Sequence, residues 1–318
     1  MIDAETQYRK LVRVLPAWYR AERGDEMVGT LLDLHGERAR AALWSELWAL
    51  LALGVRTRLA GRAAPARTVA LGDLVRAGVL LGLLWGALKS AAYVGNELRL
   101  VLEHPGDELS PLMHSALRSY LIRHLVLLAA GLVPLALLVD GWRRAARIAA
   151  GAILAAGALW GLTRYSLSLG PDLVVNYAPQ WLPLVLLLLA FHADAPLPPA
   201  RPWWWAIGGS LVAAVTAEYA FAHGVGRLAG LSPLLWLCTV AGAGYLLLRR
   251  RTEQRAAAST LALAVCLALV VAQTLVEKRA FHFPFDVLVI AQVSLAGLVV
   301  VALTVIGIRD YRRTVVNH

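Results

Sequence analysis

The chain has 318 residues, 59% of them apolar and 16% charged, with a formal net charge of +10. A globular domain carries about 25% charged and about 45–50% apolar residues, so this excess excludes a single soluble core and requires helices that face lipid or one another. Strong basicity is also the footprint of nucleic-acid binding, but here the arginines cluster at the ends of apolar runs, which is the pattern of membrane topology, and no nucleic-acid partner is expected.

In chain order, residues 1–68 form the one sizeable stretch expected outside the bilayer, a small cytoplasmic helical domain. Residues 7–15 set Leu11, Val12, Val14 and Leu15 among Arg9, Lys10 and Arg13, and Pro16 stops that helix. A second helix is expected over about 17–23, punctuated by Gly24-Asp25, with Asp25 as N-cap of a third over 26–34. Glu26 in its first turn suits the helix dipole. A longer amphipathic helix follows from 37 to about 59. Its apolar core, 47–55, is too short for a hydrocarbon layer that needs ~20 residues. Trp44 and Trp48 with Arg56 and Arg58 suit a helix lying in the membrane interface. Packing of the same face on the preceding helices, as a small soluble core, is the competing reading. Residues 61–67 are a linker.

Residues 69–318 are expected to form an all-α polytopic membrane bundle of about eight transmembrane helices. The apolar runs fall near 74–94, 120–139, 145–162, 179–191, 203–221, 231–248, 257–276 and 287–308. The fourth is short, which makes seven the competing count. Arg143, Arg144 and Arg147, then 249–251 and Arg255, then Arg309, Arg312 and Arg313 all fall on the side of the basic amino terminus in an eight-span chain. The alternate loops are poorer in Lys and Arg. Both termini are therefore expected in the cytoplasm, and the protein in the cell membrane.

The first run carries Gly78, Gly82 and Gly86 at a spacing that lets helix backbones approach closely. Ionisable and amide residues at depth are functional candidates, because each costs at least a few kcal/mol at mid-bilayer. They gather toward the outer side. Lys89 lies on the first span, Arg164 at the end of the third and Glu218 on the fifth. Gln273 and Glu277 are one turn apart on the seventh, with Gln292 on the eighth. His282 and Asp286 stand between the seventh and eighth spans, beside Phe281, Phe283 and Phe285. Together they make a candidate polar cavity opening outward, in which Lys89 is expected to pair with Glu218 or Glu277. Ordinary interfacial charges that snorkel to the headgroups are the alternative. Trp203–Trp205 reads as an aromatic belt at the inner interface. There is no P-loop, GxSxG, HExxH or DxxxD motif, and the histidines lack metal-ligand spacing. No cofactor or metal is expected. Cys238 and Cys266 sit inside apolar runs and read as small buried thiols.

Tyr8-Arg9, Leu15-Pro16, Tyr19-Arg20 and Glu26-Met27 make the opening stretch resemble the amino-terminal helical prefix of many actinobacterial multi-pass membrane proteins. Those include certain permeases and membrane proteins encoded beside PadR-type regulators. The resemblance covers roughly residues 7–60 and implies a family of membrane proteins, not an activity. The segment makes physical sense as a docking cap in which Arg9, Arg13, Arg20 and Arg23 meet anionic lipid or an acidic cytoplasmic partner. Simple folding against the inner loops is the other reading. The leading expectation is a transport-associated, permease-like protein. A sensor relaying to a cytoplasmic partner and a membrane enzyme acting on a lipid or prenyl substrate are the alternatives, with homo-oligomerisation open.

Overall fold

The computed structural model describes residues 4–35, 39–59, 64–103, 111–164, 171–192, 195–223, 231–248, 254–280 and 286–316. Within them, side chains are described except at 4, 35, 39–45, 102–103, 111–114, 160–164, 171–179, 221–223, 254–256, 280 and 314–316. The described residues form eleven helices and no strand.

Three helices come first: α1 (Ala4–Val12), α2 (Ala17–His35) and α3 (Ala39–Arg58). Ahead of Pro16 the chain tightens into three consecutive i→i−3 bonds, from Arg13, Val14 and Leu15 back to Lys10, Leu11 and Val12. The break expected at Gly24-Asp25 is absent. A helical glycine costs only about 1 kcal/mol, and one continuous α2 brings Val28 and Leu31 onto Tyr8, Val12 and Leu15. Asp25 therefore caps nothing; its carboxylate is solvent-exposed, 3.4 Å from Arg9. Leu50 and Leu53 of α3 complete this small core, while Trp48 on another face of α3 is 67% exposed.

Eight helices follow, each coinciding with one of the apolar runs. They are α4 (Ala66–Glu103), α5 (Pro111–Val139), α6 (Arg143–Arg164), α7 (Pro171–Ala190), α8 (Ala200–His223), α9 (Pro233–Leu248), α10 (Gln254–Ala280) and α11 (Val287–Val316). Among the described residues, four helices are long and apolar enough to cross a membrane: α4, α5, α10 and α11. Only 22% of the most apolar window of α11 is buried. Leu298, Val301, Val305 and Ile308 recur along one outer face of α11 and stay exposed. A helix of a soluble protein turns such a stripe inward; an apolar exterior of this kind marks a membrane protein.

Helix α4 is the hub, packed against α5, α7, α8 and α10. Glycine sets two of these approaches. A Cβ on Gly131 of α5 would lie 3.0 Å from the Leu83 carbonyl and the Ala87 nitrogen of α4, and one on Gly82 of α4 would strike the Pro183 ring of α7. Gly78 and Gly86 have nothing within 4 Å of that position, so the repeated glycine spacing is only partly used for packing. One apolar core joins α4 to α5 and α7 through Val79, Leu83, Leu135, Leu138 and Leu187. A second joins α9, α10 and α11 through Leu235, Leu267, Ala296 and Leu303.

Local chemistry fixes the connections. Gly141 turns α5 into α6 with φ +88°, and its amide bonds Leu138 while that of Trp142 bonds Leu137, the glycine-terminated helix end that only a residue without Cβ adopts easily. The indole of Trp204, at the start of α8, donates to Asp140 in that same turn at 3.1 Å. At this end of the bundle, buried Arg76 of α4 donates to the Leu59 carbonyl at 3.1 Å and to Asp73 at 2.8 Å, and His192 lies 3.4 Å from that carbonyl. The end of α3 is thus tied to α4 and to the residues after α7. The sequence reading had not singled out Arg76.

Candidate functional site

The helices α8 and α10 carry polar residues near their carboxyl ends and α4 carries them in its second half, and α9 begins at that level. The result is a cavity of about 270 Å³. Its walls include Lys89, Tyr93 and Asn96 of α4. Glu218 of α8, Ser232 before α9, and Gln273, Thr274 and Glu277 of α10 complete the polar lining. Lys89, Tyr93 and Asn96 on α4, and Gln273 and Glu277 on α10, are three or four residues apart, which is how a helix sets side chains on one face.

The Lys89 ammonium is 2.6 Å from Oε1 of Glu277. The same oxygen accepts from Gln273 Nε2 at 3.2 Å, and the Trp85 indole donates to Gln273 Oε1 at 3.4 Å. Trp85, Gln273, Glu277 and Lys89 therefore form one chain of donors and acceptors across the α4–α10 interface. Lys89 also sits over the Tyr93 ring, 5.8 Å from its centre. That ring stacks on His124 of α5 at 4.5 Å. A buried ammonium is tolerable only when a carboxylate answers it, and Glu277 supplies that carboxylate.

Ser232 is held with similar care. Gln292 of α11 is 1% exposed, donates to the Ser232 carbonyl at 2.6 Å and accepts from its amide at 3.1 Å. Ser232 Oγ in turn accepts the Leu235 amide at 3.3 Å as the N-cap of α9, with Pro233 at the first helical position. Gln292 is thus a clamp behind the cavity wall rather than part of it.

Of the residues expected to share a polar cavity, Lys89, Glu218, Gln273 and Glu277 line this one. The Lys89 partner is Glu277; Glu218 makes neither a hydrogen bond nor an ion pair among the described residues. Asp286 is used elsewhere, accepting the Val289 amide at 2.9 Å as the N-cap of α11. His282 and the side chain of Arg164 lie outside the described residues. Trp85, Tyr93, Asn96 and Ser232 were not anticipated. Trp85 and Tyr93 are aromatics inside an apolar run, Asn96 lies just past the end of that run and Ser232 just ahead of a helix, so nothing local sets them apart.

Of the candidate docking residues, Arg9 is occupied by its own chain, 2.9 Å from Glu5 and 3.4 Å from Asp25. Arg13 and Arg23 are exposed and Arg20 is half-buried. The Arg58 guanidinium donates to the Val14 carbonyl at 2.8 Å, closing the end of α1. Among the described residues no three His, Cys, Asp or Glu side chains converge as metal ligands.

No family model, no curated protein and no solved structure matches this chain.

Proposed function

We propose that this is an eight-span protein of the cell membrane, both termini cytoplasmic, that passes a small polar solute through the cavity between α4, α8, α9 and α10. The observation that carries it is the Lys89–Glu277 pair, with Gln273 and Trp85 behind it, lining a cavity between helices of largely apolar sequence. Charge at such depth is expensive, and a purely structural helix pair does not need it. At 1.5 Å per residue the cavity lies ~20 Å along α4 from Arg76, the distance expected between opposite halves of a bilayer. Arginine at 143, 144 and 147 shares the Arg76 end, which the positive-inside rule assigns to the cytoplasm.

The helices α6, α7, α8 and α9 complete the eight spans in this reading. Residues 1–68 then lie beneath the bundle, held to it through Leu59, and offer Arg13, Arg20 and Arg23 to anionic lipid or an acidic partner.

Transport is tested in vesicles that contain the protein and a mixture of polar solutes outside. At least one solute is expected to enter these vesicles and not those with Glu277→Gln. Identical contents in protein-containing and empty vesicles sink transport. One observation favours a second reading, that of a sensor: Val79, Leu83, Leu135, Leu138 and Leu187 fill the half of the bundle beyond the cavity with apolar packing. A sensor binds the solute without passing it.

A further inference from the structure

We propose that the ligand of this cavity is a small organic cation with N–H donors, and that it binds by taking the place of the Lys89 ammonium. This rests on the reading of the cavity as a ligand site. The lining holds two carboxylates, Glu218 and Glu277, against one ammonium. Oε1 of Glu277 is doubly engaged, by Lys89 and Gln273, while Oε2 accepts no hydrogen bond among the described residues. Glu218 on the facing helix is equally unengaged. Two carboxylate acceptors with lone pairs to spare are matched by a ligand that only donates.

The aromatic lining points the same way. Lys89 lies over Tyr93, and Trp85 forms the adjoining wall. A cation over aromatic faces in a desolvated site is a recognised pairing. Lys89 is in effect a tethered copy of the ligand, already answering the carboxylate and the ring that a free cation needs. Both α8 and α10 end near this level and direct the negative ends of their dipoles to it. The opposing positive end, at α9, is covered by the Ser232 cap and the Gln292 clamp. Arg99, like Arg123 of α5, stands outside the lining; its guanidinium is 3.1 Å from Asn96 and within electrostatic reach of Glu218, as Arg123 is of Tyr93. It leaves the cavity itself with one carboxylate in excess. At about 270 Å³ the space sits below the range of drug-sized sites, about 300–1,000 Å³, so the ligand is a small amine or guanidine.

The test uses the full chain in lipid nanodiscs and three probes of one shape: benzylammonium, benzyl alcohol and benzoate, titrated by calorimetry to about 10 mM. Benzylammonium alone is expected to bind. Equal or tighter binding of the alcohol or of benzoate overturns the cation assignment while leaving a ligand cavity in place; binding of none of the three overturns the ligand site as well. Lys89→Met, which removes the tethered competitor, is expected to tighten benzylammonium by about tenfold. Weaker binding to a folded Lys89→Met protein contradicts displacement. Glu218→Gln, which breaks no bond in the protein, is expected to weaken benzylammonium by about tenfold and keeps the proposal testable where Lys89→Met fails to fold.

Discussion

The Lys89–Glu277 pair is asymmetric in burial, and that asymmetry decides which partner is safer to remove. The lysine side chain is 11% exposed and the glutamate 31%. Glu277→Ala strands an ammonium between helices, and thermal unfolding in detergent is expected to show a loss of about 2–3 kcal/mol. Lys89→Met leaves a carboxylate that still meets solvent and Gln273, so its cost is expected to be clearly smaller. Equal costs would mean that the pair is solvated on both sides. A second single-residue case lies in the amino-terminal core. Tyr8 is fully buried and its hydroxyl has no hydrogen-bond partner among the described residues. Removing an unanswered buried hydroxyl relieves a desolvation penalty, so Tyr8→Phe is expected to gain about 1 kcal/mol while Tyr8→Ala loses about 3–5 kcal/mol. Thermal unfolding of both variants, followed by circular dichroism, separates the two effects.

At the scale of elements, glycine spacing alone does not say where helices meet. Gly131→Ala places a methyl group against α4 backbone atoms that have no freedom to move aside, so a loss of about 1–3 kcal/mol is expected. Gly78→Ala meets nothing within 4 Å and is expected to be neutral or to gain up to about 1 kcal/mol from helix propensity. The same unfolding measurement ranks them. The all-helical architecture and the positions of the apolar helices were legible, because 3.6-residue periodicity and long apolar runs are local properties. The continuity of α2 was not, since Gly24 and Asp25 read as a stop and only burial of Val28 and Leu31 against α1 overrides them. Lys89 stood out as a lone charge in an apolar run, and Glu277 as an acid one turn from Gln273 at the end of another. Arg76 did not, because an arginine near the start of a span looks like an ordinary interfacial residue until Leu59 and Asp73 are seen beside it. Its role is checkable: Arg76→Met removes one of the two side chains on the Leu59 carbonyl, and limited proteolysis between α3 and α4 is expected to quicken. An unchanged cleavage rate would remove Arg76 as the tie between α3 and the bundle.

For the whole molecule, the central feature is polarity along α4. One end, at Arg76 and the α5–α6 turn, joins the amino-terminal helices; the other, at Lys89 and Asn96, opens into the polar cavity. Glu218, Gln273 and Glu277 were legible as companions of Lys89, because charged and amide side chains stand out in apolar runs; Ser232 and the start of α9 were not, because they reach the cavity only through helix–helix packing across long chain separations. The proposed topology rests on this polarity and on the positive-inside rule, and sided cysteine labelling reads it directly. With Cys238 and Cys266 replaced by alanine, Asn96→Cys and Arg144→Cys are treated in intact cells with a membrane-impermeant thiol reagent. Asn96→Cys is expected to label in intact cells and Arg144→Cys only after the membrane is permeabilised. Labelling of Arg144→Cys in intact cells, with Asn96→Cys protected until permeabilisation, would contradict an outward-opening cavity above a cytoplasmic cap.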